Sequence, residues 1–412
     1  MDRINELLCQ YCANGVEHKT LGELGVFYGG ITGKNKNDFV GGNAAFVTYK
    51  NVYSNMALDI TPEDKVRIAV GENQRTLEYG DVIFTGSSET PDECGISSVV
   101  CEEPKEDLYL NSFCFFFRFN NLAGINPNFM KHVFRSKCLR NQIGKTASGV
   151  TRYNVSKKLM ENVIIPLPPI EVQNSISEIL DQYLALSEKL NAKLLLELEL
   201  REKQYACSKR KILNDIDNRV TLKTVVKKSC SGGTPKKSNK DFYENGNIPW
   251  LRTQDVVFNE ITEATTFITE EAVKKTSAKW IPENCVIVAI SGASAGRCAI
   301  NKFETTTNQH CLNLEIDETK AFYKYVFYCV WNGYDKLIEK KQGARGDLNS
   351  TLIQSLEIPL PSIEEQKRIA QLLDDYTEEH CKLLKMLQKE IENRNTQYEY
   401  YRDKMLTFKE AV

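Results

Sequence analysis

The sequence predicts an α+β protein of two globular domains, β-rich with helices, separated by two long helices that form an antiparallel coiled coil, with a pseudo-two-fold internal repeat. Three observations predict it. First, Ile165-Pro166-Leu167-Pro168-Pro169-Ile170-Glu171-Val172-Gln173 returns as Ile358-Pro359-Leu360-Pro361-Ser362-Ile363-Glu364-Glu365-Gln366, an offset of 193 residues that holds without a gap from Phe129 against Phe322 to Leu213 against Leu406. A period of that length, present twice, is too long for a solenoid and reads as a duplicated half-molecule. Second, each copy runs into a long stretch of helical apolar periodicity. Third, the residues ahead of each copy are short apolar runs broken by Gly, Asn, Asp and Pro, the texture of strands joined by polar loops. The globular domains are expected over residues 1–164 and 217–357, with helical spacers over 165–216 and 358–412.

In chain order, the first residues predict a short helix with Ile4, Leu7, Leu8 and Tyr11 on one side. It holds the only CxxC, Cys9 and Cys12. A zinc or redox role needs a second pair or nearby histidines, and only His18 is close, so two thiols on a helix face are expected and no metal site. Strands are expected at Phe46–Tyr49, Val66–Val70, Asp81–Thr85 and Cys114–Phe119, and a helix at Asn128–Leu139. Thr20-Leu21-Gly22-Glu23-Leu24 has a counterpart in Thr221-Leu222-Lys223-Thr224-Val225, so the halves begin alike and end alike while diverging between.

Pro166 to Pro169 stop whatever precedes them, because proline lacks the donor and restricts its predecessor. Then Ile176, Leu180, Tyr183, Leu190, Leu194, Leu198, Tyr205 and Ile212 form one apolar stripe. Ile369, Leu373, Tyr376, Leu383, Leu387, Ile391, Tyr398 and Met405 form the matching one. One extra residue after Leu190, and again after Leu383, shifts the spacing by sevens in both copies. About 42 residues at 1.5 Å each make a rod of roughly 60 Å. A rod with one apolar stripe needs a partner along its length, and its own repeat is the obvious one. With a globular part between them in sequence, the two helices are expected to run antiparallel.

The second globular half opens with Ser231-Gly232-Gly233-Thr234-Pro235-Lys236-Lys237 and Ile248-Pro249-Trp250-Leu251-Arg252. Two glycines before Thr-Pro predict a tight turn with amides free for phosphate or base contacts, and two lysines add charge. Pro282–Ile290 predicts a strand entering the small-residue turn Ser291–Arg297, followed by Thr307-Asn308-Gln309-His310-Cys311. Asn, Gln, His and Arg on loops can read base edges with paired donors and acceptors.

A length of 412 residues and 42% hydrophobic content suit two or three ordinary cores. Thirteen unpaired-looking cysteines and the absence of a basic-then-apolar leader point to a reducing cytoplasm, and no apolar run reaches a membrane span. The net charge of −2 hides a segregation. Leu108–Met160 holds no Asp or Glu but carries Arg118, Lys131, Arg135, Lys137, Arg140, Lys145, Arg152, Lys157 and Lys158. Asn218–Lys240 is also acid-free, with Arg219, Lys223, Lys227, Lys228, Lys236, Lys237 and Lys240. Segregated charge attracts polyanions even when the total is near zero.

Catalytic signatures are missing. No Asn/Asp-Pro-Pro-aromatic motif, glycine fingerprint or nucleophile elbow is found, and Gly144-Lys145-Thr146 has Leu139 where a phosphate loop needs its first glycine. The expectation is a non-catalytic binding chain that lends specificity to enzymes.

Two variable halves, each closed by the repeated Ile-Pro-Leu-Pro segment and a long helix, resemble the specificity subunit of type I restriction-modification systems. Gly232-Gly233-Thr234-Pro235 with Ile248-Pro249-Trp250 resembles the opening of target recognition domains in that family. The first half departs from it, since Gly29-Gly30-Ile31-Thr32-Gly33-Lys34 lacks both Thr-Pro and Ile-Pro-Trp. The resemblance implies double-stranded DNA as ligand, each domain reading half of a bipartite site, and helices that set the half-site spacing. It implies two modification (methyltransferase) and two restriction/translocase subunits as partners. S-adenosylmethionine would sit on the former, ATP and magnesium on the latter, and no cofactor on this chain. A specificity subunit for a related fused methyltransferase-nuclease, and a coiled-coil scaffold that never touches DNA, are the alternatives. Candidate DNA contacts are Thr32, Lys34, Lys36, Lys50, Thr85, Ser87 and Arg152 in the first half. In the second they are Thr234, Lys236, Lys237, Arg252, Gln254, Ser291, Arg297, His310 and Arg345.

Overall fold

A computed structural model describes residues 2–340 and 347–411 of the chain. Two compact units form, one from the residues up to Leu194 with those from Lys389 onward, the other from Leu195–Gln388. The apolar stripes belong to two helices, Ile170–Asn214 and Ile363–Met405, each starting in one unit and ending in the other. Each globular part is thus completed by a length of both helices, so the units do not follow the four consecutive segments drawn from the sequence. The extra residue in each stripe falls where the helix passes from one unit to the other.

In the first unit a four-stranded antiparallel sheet has the order Gly25–Gly29, Cys114–Phe119, Val82–Thr85, Ser97–Val99. Phe115, Phe117 and Phe119 enter one core with the helix Pro127–Val133 and the start of the first long helix, while Cys114 and Phe116 enter another. The two-residue period of a strand sends them to opposite faces, both covered, which is why the run reads as continuously apolar. The second unit repeats the plan with Cys311–Ile316 between Val226–Ser231 and Val286–Ala289. Leu312, Leu314 and Ile316 share a core with the helix Tyr323–Asn332, and Cys311 lies in a separate cluster.

The repeated segment closes each unit. Ile164–Leu167 pairs antiparallel with Glu17–Thr20, and Glu357–Pro359 with Arg219–Thr221, so the like beginnings and like ends are strand partners. Proline is tolerated because each is a two-stranded ribbon with an unpaired side. The glutamine that ends the segment is fully buried in both copies. Gln173 accepts from the Asn126 amide at 2.9 Å and donates to the Gly124 and Pro168 carbonyls at 2.8 and 2.7 Å. Gln366 accepts from the Phe322 amide and donates to the Pro361 carbonyl, both at 2.9 Å.

The helices pair antiparallel within each unit. In the first, Tyr183 stacks on Tyr398 with centroids 6.0 Å apart, and Asn191 meets Asn395 at 3.1 Å, one number rising as the other falls. In the second, Tyr205 packs on Tyr376 at 5.3 Å, while Leu213 clusters with Ile369 and Leu373. Tyr183 and Tyr376 are repeat equivalents, as are Tyr205 and Tyr398, so one aromatic pair is used twice. An ion pair is also duplicated: Lys131–Asp181 at 2.8 Å and Lys324–Asp374 at 2.7 Å. The middle of the stripe is less deeply buried than its ends, with Leu190, Leu194 and Leu198 half-buried, and Leu195, Leu196 and Leu200 beside it are exposed.

Several elements differ from expectation. Thr48 accepts from the Asn51 amide and caps a helix, Tyr49–Ser54, ending the strand Ala44–Val47 early. Only Lys65–Val66 of the next run pairs, because the following residues cross as a loop bonded through Asn43. The Asn128–Leu139 helix breaks in two where Ser136 caps Lys137–Gly144. The strand expected at Pro282–Ile290 is confined to Val286–Ala289. The N-terminal helix spans Asp2–Tyr11, with Leu7 on the core but Tyr11 exposed.

One buried group was not anticipated. His132 has no exposed surface, its Nδ1 lies 2.9 Å from the Tyr398 hydroxyl, and its Nε2 lies 2.7 Å from Asp181 Oδ1. Burial pushes its pKa below the usual histidine value, against the pull of the Asp181 carboxylate and with the repulsion of Lys131 and Arg402. Folding thus prefers the neutral ring. The stability this confers is fully present above the unfolded value of about 6.5 and is lost as pH falls through the folded value. Protection of the amides in Pro127–Val133, taken relative to their intrinsic exchange rates, should fall as pH drops from about 7.5 to about 5, and His132→Gln should flatten that dependence. The repeat equivalent is Tyr325, which does not titrate there, so Tyr323–Asn332 serves as the internal control. Equal pH responses in both helices would contradict the assignment.

Candidate nucleic-acid interface

Basic residues in an acid-free stretch need not face a ligand, and the fold sorts them. Arg118 pairs with Asp81 and Glu78, and Lys131 with Asp181. Arg135 donates to the Ser97 and Tyr53 carbonyls, and burial pushes its pKa down to about 10. Arg140 donates to the carbonyls of Asp92, Cys94 and Gly95. Four of the nine cations are therefore internal braces: Arg118 and Lys131 draw their counter-charges from outside the run, while Arg135 and Arg140 are held by backbone carbonyls. Lys137, Lys145, Arg152, Lys157 and Lys158 remain exposed. In the second run Lys227 pairs with Glu315 and Lys240 with Glu244, while Lys223, Lys228, Lys236 and Lys237 are exposed.

The structure brings three of the sequence candidates of the first unit together. Lys50, Ser87 and Arg152 line one open cleft of about 770 Å³. Arg152 sits on the turn between Ala147–Ser148 and Tyr153–Val155, and this hairpin pairs with Ser87–Ser88. Its Nε and Nη2 both donate to Ser87 Oγ, at 3.1 and 2.9 Å. The cleft also contains Tyr49, Tyr53, Phe113, Glu89 and Glu93, which sequence reasoning missed. The spacing of Tyr49 and Tyr53 by four is a helical signal, hidden when the segment is taken as a strand.

Three candidates change role. Thr85 is fully buried in its strand, and its hydroxyl accepts from the Ile96 amide, so it cannot touch an outside ligand. Ser87 is buried under Arg152 and positions it. Lys34 is largely covered and bonded to Glu72 at 2.6 Å, and its ammonium holds the Glu72 carboxyl down to about 2. Thr32 and Lys36 are exposed, with the Thr32 backbone clamped by Gln74.

In the second unit the glycine pair is not an open turn. Both glycines are buried, and the Gly233 amide already donates to the Thr307 carbonyl at 2.9 Å. A Cβ on Gly232 would collide with that carbonyl oxygen, and one on Gly233 would lie 2.5 Å from the Ala278 amide. The glycines permit close approach, and Trp250 Nε1 donates to the Gly233 carbonyl at 3.0 Å to hold the segment. The result sets Thr234 against Gln309, whose amide lies 3.1 Å from His310 Nε2. Thr234, Lys236, Lys237, Gln254 and His310 are exposed, and Arg252, Ser291 and Arg297 half-buried. Arg252 reaches over the Trp250 ring, 5.9 Å from its centroid. Arg345 lies outside the described residues. Among the described residues no cluster of three or more His, Cys, Asp or Glu is arranged to hold a metal ion, and no helix is long and apolar enough to cross a membrane.

A family model described as the type I restriction modification DNA specificity domain matches the chain twice, over residues 14–200 and 218–393. The EcoR124I/EcoR124II specificity subunit of Escherichia coli is 32% identical over 267 residues, which cover 62% of this chain and 65% of that protein. The MjaIX specificity subunit of Methanocaldococcus jannaschii is 32% identical over 168 residues, 39% of this chain and 38% of that one. The chain thus spans less than two thirds of the length of these curated relatives. A chain in a structure described as the basis of complex assembly and conformational transition of the type I R-M system superposes with a TM-score of 0.77 at 18% identity, covering 95% of this chain and 97% of that one. The HsdS subunit from Thermoanaerobacter tengcongensis gives 0.57 at 19% identity, covering 96% of each chain. Both share the fold.

Proposed function

The chain belongs to the type I restriction-modification DNA specificity family, and from that premise we propose that it is the non-catalytic DNA-reading subunit of such a complex. One observation carries the reading: the family domain occurs twice, once for each compact unit, and each unit has its own outward set of basic and hydrogen-bonding side chains. Each unit binds one half of a bipartite duplex site. The two long helices, each shared by both units, set the gap between half-sites and take two modification subunits, with two restriction subunits joining the cleaving complex. Methyl transfer from S-adenosylmethionine takes place on the modification subunits, and ATP and magnesium serve the restriction subunits in the cytoplasm.

The test is genome-wide methylation mapping in cells carrying this chain with its modification partner. A split motif with a fixed gap is expected, and a contiguous motif would overturn the bipartite reading.

Lys236 and Lys237 are exposed beside Thr234 with no ion-pair partner among the described residues, as phosphate contacts should be. Replacing both with alanine should weaken binding at every sequence alike. The slope of log affinity against log salt should fall in magnitude by roughly 1.8, about 0.9 for each lost phosphate contact. A change confined to one base position would assign them to base reading instead.

A further inference from the structure

The cleft of the first unit is built for a base edge rather than a phosphate. Its guanidinium is tied down, because Nε and Nη2 of Arg152 both donate to the hydroxyl of buried Ser87. That leaves Nη1 and the second Nη2 hydrogen as a fork held by one atom, the geometry that suits a pair of acceptors. The walls are flat and apolar. Tyr49 and Tyr53 lie nearly parallel, 6.1 Å apart at 18°, and Phe113 keeps 63% of its surface exposed. Such faces pack on bases and methyl groups and give a phosphate nothing. Two carboxylates share the cleft and offset its two cations, Lys50 and Arg152, which leaves no net positive charge to draw a phosphate. Glu93 is engaged by the hydroxyls of Tyr53 at 3.1 Å and Ser88 at 3.3 Å. Glu89 is exposed and has no hydrogen-bond partner among the described residues.

We infer that this cleft recognises one G·C pair of the first half-site, Arg152 donating to guanine O6 and N7 and Glu89 accepting from the cytosine amino group, with Ser87 as the positioning residue. In the major groove these are the pairings that distinguish G·C from the other three arrangements. The inference rests on the DNA-specificity reading and deepens it.

The test uses the complex with the modification subunits, bound to duplexes carrying the mapped motif and each of its single-base variants. The wild-type complex should discriminate at one G·C pair by about 5- to 150-fold, the range for one bidentate contact. Arg152→Ala should abolish discrimination at that pair alone and leave the salt slope unchanged. Arg152→Lys should not restore it, since an ammonium lacks the fork. Ser87→Ala and Glu89→Gln should each reduce discrimination at the same pair. Unchanged discrimination in the second half-site is the internal control for folding. Uniform weakening with a salt slope smaller by about one would make Arg152 a phosphate contact and overturn the inference. So would intact discrimination in Arg152→Ala. Failure of the wild-type complex to bind any split motif would instead strike the underlying DNA-specificity reading.

Discussion

Gly232→Ala is expected to disorder the edge of the second unit and to erase one half of the recognised site while the other half survives. An alanine methyl at this position would overlap the Thr307 carbonyl oxygen. Thr307 cannot move aside, because it is fully buried in Thr305–Thr307, a strand paired on both sides with Ile248–Leu251 and Trp280–Ile281. Overpacking of this kind costs about 1–3 kcal/mol, and displacement of the Gly233–Thr307 hydrogen bond adds about 1 kcal/mol. The expected loss is therefore about 2–4 kcal/mol, local to the segment that sets Thr234 beside Gln309. Hydrogen exchange of Val226–Ser231 and Thr305–Thr307 should rise, with the strands of the first unit unaffected. Methylation mapping should show one half-site relaxed. Gly33→Ala is the contrast: φ is +72°, but no atom lies within 4 Å of a Cβ, so only a modest backbone strain is at stake. Protection unchanged in Gly232→Ala would mean that the glycine pair is not needed for close approach.

The scaffold was legible in the sequence because its parts obey long, regular periods. The duplicated Ile-Pro-Leu-Pro segments, the stripes through Tyr183 and Tyr376, and the matched domain openings at Thr20 and Thr221 are local patterns in register, and all became paired elements. The reading surfaces were legible only in part. Arg152 with Ser87 and Lys50 came together as candidates, but Thr85 shows why loop and strand chemistry misleads: it ends Val82–Thr85, a strand buried along its whole length in the four-stranded sheet, whereas Ser87, two residues on, belongs to the separate short strand that pairs with the Arg152 hairpin. Charge was harder still. Arg118 stands in an acid-free run, yet its partners Asp81 and Glu78 are 37 and 40 residues earlier, brought beside it only by sheet pairing. His132 gave no signal, since a lone histidine after a lysine says nothing of a tyrosine 266 positions away.

Gln173→Leu should cost more than Gln366→Leu, and both should cost far more than any change at exposed Glu171 in the same repeated segment. The side chains are similar in size, so the difference is one of hydrogen bonds. Leucine at 173 strands three groups, the Asn126 amide and the Gly124 and Pro168 carbonyls, whereas leucine at 366 strands two, the Phe322 amide and the Pro361 carbonyl. An unpaired buried group costs about 1–3 kcal/mol, so losses of about 3–9 and 2–6 kcal/mol are expected. The first substitution also loosens Asn126, whose side chain caps the helix carrying Lys131 and His132. Those two side chains hold Asp181 on the long helix, so the lesion should spread from the strand Ile164–Leu167 into the helix pair. In the second unit the corresponding helix starts at Tyr323 with no side-chain cap, and its tie to the long helix is Lys324–Asp374 and the Tyr328 hydroxyl on Asp374. Urea unfolding followed by hydrogen exchange should show each substitution opening its own unit first. Two small and equal losses would mean that strand pairing alone closes the units. Unequal losses in the stated order would mean that the repeated glutamine couples the closing strand, the preceding helix and the long helix through one amide.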